Sequence, residues 1–179
     1  PVQHLFNLDG KTALVTGGGQ GIGRAIAEAL AEHGATVVAC GRSRGTLEST
    51  AGVIRDRGGT AQALQLDVTS DEDMARGRDW LAREFGRLDV LVNNAGIVRA
   101  AMLTKMTAVQ WDEVLAVHLT GSFNCLQAVV GGMMERQRGW IINTISTAGI
   151  LGTIGQINYG SAKAGLIGFT KSVAKEFAS

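Results

Sequence analysis

Cysteine, proline and aromatic residues are scarce in this sequence. Its 179 residues hold 2 Cys and 1 Pro, and aromatics make up 5 %. Cys40 and Cys125 lie far apart with no Cys-x-x-Cys or Cys/His ligand spacing, which excludes a disulfide framework and a zinc site and points to reduced thiols of a cytosolic protein. Charge of one sign is also lacking: 17 Lys+Arg against 16 Asp+Glu leave a net charge of +1. The basic residues are scattered, so neither a nucleic-acid nor an acidic-membrane partner is expected. No apolar run is read as reaching the roughly 18 residues of a membrane span, and Pro1 to Lys11 has no signal-peptide apolar region. A soluble, cytoplasmic protein is the expectation.

Glycine and small aliphatics take the place of aromatics. There are 25 Gly and 45 % hydrophobic residues, a globular composition too apolar for a disordered chain. The apolar run Thr12 to Thr16 flows into Gly17-Gly18-Gly19-Gln20-Gly21-Ile22-Gly23, after which Ile26 and Leu30 recur at helical spacing as far as the stop at His33-Gly34. The unit repeats: strand Ala35 to Cys40, helix Ser43 to Arg57, strand Ala61 to Leu66, helix Ser70 to Phe85, strand Leu88 to Val92. A long helix over Ala108 to Glu135, a strand Trp140 to Ile145 and a final helix Asn158 to Phe177 follow. Gly131-Gly132 sits badly in that long helix, because each glycine costs about 1 kcal/mol there relative to Ala; a kink or an end is expected at the pair. Strands alternating with helices imply an α/β fold, a Rossmann-type doubly wound parallel sheet with helices on both faces. With no linker or low-complexity tract, residues 1–179 read as a single dinucleotide-binding domain.

A helix N-terminus presents unpaired N–H groups and about half a positive charge, so a phosphate docks there if the backbone allows close approach. The Gly17-x-x-x-Gly21-x-Gly23 turn follows a strand and opens a helix, the context in which such a turn holds a pyrophosphate rather than merely reversing the chain.

Taken with four further motifs, the residues resemble the short-chain dehydrogenase/reductase family over essentially the whole chain. The motifs are Thr16-Gly17-x-x-x-Gly21-x-Gly23, Asp67 in Leu66-Asp67-Val68, Asn93-Asn94-Ala95-Gly96, Ser146, and Tyr159-x-x-x-Lys163. The stretch Gly155-Gln156-x-Asn158-Tyr159 with Ala162-Lys163-Ala164-Gly165-Leu166 is most similar to 3-oxoacyl-acyl-carrier-protein reductases. The resemblance implies a ketone reductase acting on a 3-oxoacyl thioester. A dehydrogenase of a hydroxyacyl thioester or other secondary alcohol with NAD, and a nucleotide-binding protein without turnover, are the alternatives. It also implies a homotetramer pairing through the last helices. Family members continue through further strands and a loop that closes over substrate, so the C-terminal strand region is expected to be missing, whether the sequence is partial or the protein a fragment.

Tyr159 and Lys163 fall one turn apart on one helix face, where an ammonium can lie beside the phenol and favour its phenolate. Such a phenol can give a proton to a ketone oxygen as hydride arrives at carbon, and Ser146, at a strand's C-terminal end, can hydrogen-bond the same oxygen. The resemblance adds that Lys163 holds the nicotinamide ribose. It also implies an asparagine in the long helix, interrupting it and holding a water; the sequence has His118 there. Imidazole both donates and accepts, so His118 can stand in, and a helix histidine with no such role is the alternative. At the end of the second strand there is no acid to repel a 2′-phosphate, and Arg42 is placed to grip one, which favours NADPH over NAD. Cofactor contacts are expected from Gly17, Gly19, Gln20, Gly21, Ile22 and Gly23 of the turn. Arg42, Asp67 (toward the adenine), Val68, Asn93, Ala95, Gly96, Tyr159 and Lys163 complete the set, and no metal is expected.

Overall fold

The computed structural model describes residues 6–177; Pro1 to Leu5, in the segment read for a signal peptide, and the last two residues lie outside the described residues. The chain runs β1 (Thr12–Thr16), α1 (Gly21–Glu32), β2 (Thr36–Gly41), α2 (Arg44–Asp56), β3 (Thr60–Gln65), α3 (Asp71–Phe85), β4 (Val90–Asn93) and α4 (Ala108–Leu115). A π-helical segment (Ala116–Thr120), α5 (Gly121–Glu135), β5 (Trp140–Asn143), α6 (Ala148–Leu151) and α7 (Ile157–Phe177) follow. All 5 strands are parallel, in the order β3-β2-β1-β4-β5. This is a Rossmann-type sheet, and its switch of direction falls between β1 and β4, where α/β sheets open a crevice at the C-terminal ends of the strands.

Strand alternation divides the core. Ala13, Val15, Val37, Val90 and Val92 meet Ala27 and Ala31 of α1 and Ala51 and Ile54 of α2. Leu14, Val38 and Leu91 point the other way, onto Leu81 of α3, Cys125, Leu126 and Met133 of α5, and Phe169 and Val173 of α7. Small side chains on the α1 face let that helix lie close to the strands, which brings its N-terminus over the crevice.

Strand limits agree with the sequence reading to within two residues at either end; β5 stops at Asn143, short of Ile145, and Trp140, Ile142 and Ile145 are 43 %, 49 % and 47 % exposed, with no further strand beside β5 among the described residues. The long helix is interrupted, though not at the glycine pair. Gly131 and Gly132 lie inside continuous α5, where Leu126 and Met133 on either side are buried, so packing outweighs the poor propensity. The break lies instead at Ala116–Thr120, where the Gly121 N–H reaches back five residues to the Ala116 carbonyl. A second correction concerns apolar length. By length and hydropathy the 28-residue run Ala108–Glu135 would pass as a membrane span, but Val114, His118, Ser122, Cys125 and Leu126 along it are buried and Asn124 bonds the Val68 carbonyl at 2.9 Å. It is a core helix of this sheet.

Candidate active site

Two structures carry the candidate residues, the glycine turn before α1 and the start of α7. Gly17 and Gly21 have φ of +66° and +53°, the left-handed region where a side chain is strained. Around Gly17 there is also no room: a Cβ would lie 3.0 Å from Asn94 Nδ2 and 3.1 Å from Ala95 Cα. Thr16 staples the turn to that neighbouring loop. Its hydroxyl donates to the Val92 carbonyl (3.2 Å) and accepts from the N–H groups of Asn94 (2.9 Å) and Ala95 (3.0 Å). Gln20 at the N-cap of α1 makes no side-chain capping bond, and the first turn holds no acid. The first N–H groups and the positive end of this helix are therefore left without a side-chain partner, open to solvent or to an anion.

A cleft of about 450 Å³ lies above this turn. Gly17, Gly19, Gln20, Gly21, Ile22 and Gly23 line it, as do Arg42, Asp67, Val68, Ala95 and Gly96. Asn93 does not: its side chain turns into the sheet, giving its amide to Asn143 Oδ1 at 2.9 Å, and Asn94 takes the place at the cleft wall. The Arg42 guanidinium stands 4.0 Å from the Asp67 carboxylate. Burial works to raise the Asp67 carboxyl, but the Thr69 N–H and hydroxyl bonds, with the charge of Arg42, outweigh it and hold the group below its usual range. A wider groove of about 670 Å³ at the opposite end of the sheet contains none of the motif residues, and the Arg57–Glu28 ion pair (2.8 Å) flanks it.

On α7, Lys163 Nζ lies 5.8 Å from the Tyr159 ring centroid. Lys163 is only 3 % exposed. Its ammonium donates to the Thr144 carbonyl at 2.5 Å, and burial pulls its pKa down to about 8. Asn158 anchors the turn before it. Fully buried, it donates to the carbonyls of Arg99 (3.0 Å) and Gln110 (2.9 Å) and accepts the Tyr159 N–H (2.8 Å). Ser146 follows β5, where its hydroxyl accepts from the Ala148 N–H (3.2 Å). The same segment is pressed onto α7: a Cβ on Gly149 would sit 2.7 Å from Ala164 N. Ser146, Tyr159 and Lys163 are thus carried by two segments in contact.

His118 lies in the π segment beside them, its ring edge-on to Tyr159 at 5.2 Å and 86°. The sequence reading gave no role to Thr16, Asn94, Asn158 or the Thr144 carbonyl. Thr16 and Asn94 each lie inside a motif, whereas the two acceptors that hold Asn158 come from segments distant in sequence. Among the described residues no cluster fit for a metal ion occurs.

A parallel sheet in this order with an uncapped glycine turn is the architecture of dinucleotide-binding folds. The comparisons fix the family. The model of the short chain dehydrogenase family matches residues 11–179, and the chain belongs to that family of nicotinamide-dependent oxidoreductases. It is 44 % identical over 174 residues to the 3-oxoacyl-(acyl-carrier-protein) reductase FabG of Vibrio cholerae, covering 97 % of this chain and 70 % of that protein. Similar figures hold for the FabG proteins of Escherichia coli (43 % over 175 residues) and Aquifex aeolicus (42 % over 174), again 97 % of this chain and 70 % of each relative. A solved structure described as a short-chain alcohol dehydrogenase of Sinorhizobium meliloti superposes with TM-score 0.92 at 38 % identity, over 97 % of this chain and 69 % of that one.

Proposed function

We propose that the protein reduces a 3-oxoacyl thioester, or a similar ketone, to the 3-hydroxy product, with NADPH bound in the cleft above the glycine turn. The observation that carries this reading is that the Tyr159 ring packs edge-on against His118, whose own ring packs on the Gly96–Ile97 wall of the cleft above the uncapped start of α1. The cleft suits the cofactor. Gly21 has open space where a side chain would stand, the free N–H groups of α1 would take the pyrophosphate, and Arg42, with its side chain 65 % exposed, is free to turn onto a 2′-phosphate. Bound there, the reduced nicotinamide supplies the hydride.

The chain's own residues handle the proton. Ser146 Oγ hydrogen-bonds the ketone oxygen and Tyr159 gives it a proton as charge develops on it. Lys163, buried against the phenol, stabilises the phenolate left behind and remains within reach of the cofactor ribose. Specificity for a carrier-linked acyl chain rests on the likeness to the FabG reductases.

We also infer a single cytoplasmic dinucleotide-binding domain that assembles as a homotetramer through α5 and α7. Ala162 and Leu166 of α7 are buried in the core, yet Ala164 and Ala174 of α7 and Phe123 and Met134 of α5 leave apolar surface exposed. A helix apolar on two sides buries both. Light scattering that finds a dilution-stable monomer excludes this assembly.

Acetoacetyl thioester and NADPH, followed at the reduced-nicotinamide absorbance, test the chemistry. Tyr159→Phe should lose about 10²- to 10⁴-fold in turnover at saturating substrate, the usual loss for a positioned general acid, with NADPH affinity unchanged. Lys163→Met should damage turnover and cofactor binding together, and the double variant should be little worse than the poorer single. A Tyr159→Phe enzyme that keeps more than about a tenth of its turnover takes its proton from elsewhere.

A further inference from the structure

Asn158 stands in the first turn of α7, fully buried, and its amide is divided among three parts of the chain. The two Nδ2 hydrogens go to the carbonyls of Arg99, in the loop after β4 (3.0 Å), and of Gln110, in the first turn of α4 (2.9 Å). Oδ1 accepts the Tyr159 N–H at 2.8 Å. Both carbonyls need donors and the N–H needs an acceptor, so the partners fix the orientation of the amide. Tyr159 lies where a helix start leaves N–H groups without a partner in the helix. Here the Gly160 N–H reaches the Gln156 carbonyl (2.8 Å), and the Tyr159 N–H has Asn158.

The two acceptors are braced from their own side. Arg99 Nε is 2.6 Å from a carboxylate oxygen of Glu113 on α4. Gln110 closes the start of α4 with Thr107: its side-chain oxygen accepts the Thr107 N–H (2.9 Å), and the Thr107 hydroxyl accepts the Gln110 N–H (3.2 Å). Beyond Arg99, the Ala101 N–H donates to the Gly155 carbonyl (2.9 Å), just ahead of α7. The same loop begins as the Gly96–Ile97 wall of the cleft. Asn158 thus joins the helix that carries the phenol to the segment that continues the cleft wall, although it does not itself line the cleft. Among neutral side chains only an amide offers two hydrogens and an acceptor together in this way.

We propose that Asn158 is a positioning residue for the proton step, holding the start of α7, and with it Tyr159, in a set place against the Arg99 loop. This rests on Tyr159 being the proton donor. A reacting group displaced by about 1 Å can lose on the order of 10²-fold in rate, so removing Asn158 should show in turnover and not in cofactor affinity.

Tyr159 is the only tyrosine of the sequence, so tyrosine labelled with carbon-13 at the phenol carbon gives the whole protein one resonance at this ring. Asn158→Ala loses all three bonds, and Asn158→Asp keeps the acceptor but neither donor. In both, that resonance should shift or broaden, kcat with acetoacetyl thioester should fall by about 10- to 100-fold, and the NADPH dissociation constant should keep its wild-type value. Both variants also lose stability, because buried carbonyls are left without donors. Ser70→Ala, which removes a cap elsewhere, is the control and should keep the wild-type kcat and resonance. Exchange of the Tyr159 amide hydrogen requires only the folded wild type and should be slow. Fast exchange there overturns the proposal, as do folded Asn158 variants with wild-type kcat and an unmoved resonance. A loss of kcat matched by an equal loss of NADPH affinity assigns Asn158 to the fold alone and overturns it too. A Tyr159→Phe enzyme that keeps its turnover removes the donor reading and this proposal with it, whereas an inert Tyr159→Phe beside fully active Asn158 variants removes this proposal alone.

Discussion

Helices α1 and α3 begin at the same edge of the sheet, after parallel strands, and their N-termini are built in opposite ways. At α3 the chain satisfies itself. Ser70 accepts the Asp73 N–H (3.2 Å), Asp71, Glu72 and Asp73 fill the first turn, and Asp73 reaches back to the Asp67 N–H at 2.6 Å. At α1 there is no cap bond and no acid, and before the Gln20 N-cap come Gly17, left-handed, and Gly18 and Gly19, where a Cβ would be crowded. A capped start contributes stability; an uncapped one keeps its donors for an anion. Both junctions border the cleft, through Gly17 to Gly23 on one side and Asp67 and Val68 on the other, and the contrast is what makes α1 the end proposed to receive an anion.

Breaking the open end should have the largest effect. Gly21→Val puts a β-branched side chain at φ +53° and in the path of a pyrophosphate, so NADPH binding should disappear from fluorescence titrations while the far-ultraviolet dichroism stays close to wild type. Normal affinity in that variant would remove the phosphate from this turn. Arg42→Asp should act less strongly, exchanging a phosphate partner for a repulsive charge beside Asp67. The ratio of specificity constants for NADPH over NADH should fall by about 10- to 100-fold, the range of a charged hydrogen bond partly screened by solvent. An unchanged ratio would make Arg42 a surface charge. The smallest change belongs to the closed end. Ser70→Ala should lower stability in a denaturant melt by about 1 kcal/mol, the usual worth of a cap, and leave NADPH affinity untouched. A loss of affinity there would mean that the two helix starts are not separable.

The glycine turn and the Tyr159–Lys163 pair could be read from sequence because their chemistry depends on short, fixed spacings, a turn that must admit a phosphate and two side chains one helical turn apart. Asn93 shows where that reading stops. Its motif pointed to the cleft, yet strand alternation turns its side chain toward Asn143 and α7, and the residue after it forms the wall. Asn158 shows the converse: it lies inside a motif, but its role depends on carbonyls of Arg99 and Gln110 that only folding brings to it.

Periodicity and turn residues determined the order of strands and helices, the parallel sheet and the positions of the glycine turn and the Tyr159–Lys163 pair, since each follows from the spacing of neighbouring residues. Tertiary structure decided the rest. It kept α5 helical through Gly131-Gly132 by burying both flanks and moved the interruption to Ala116–Thr120. It also set His118 between Ile97 and Tyr159 and buried the Lys163 ammonium under the Thr144 carbonyl. Burial and hydrogen-bond satisfaction depend on segments far apart in the chain, and no local spacing encodes them.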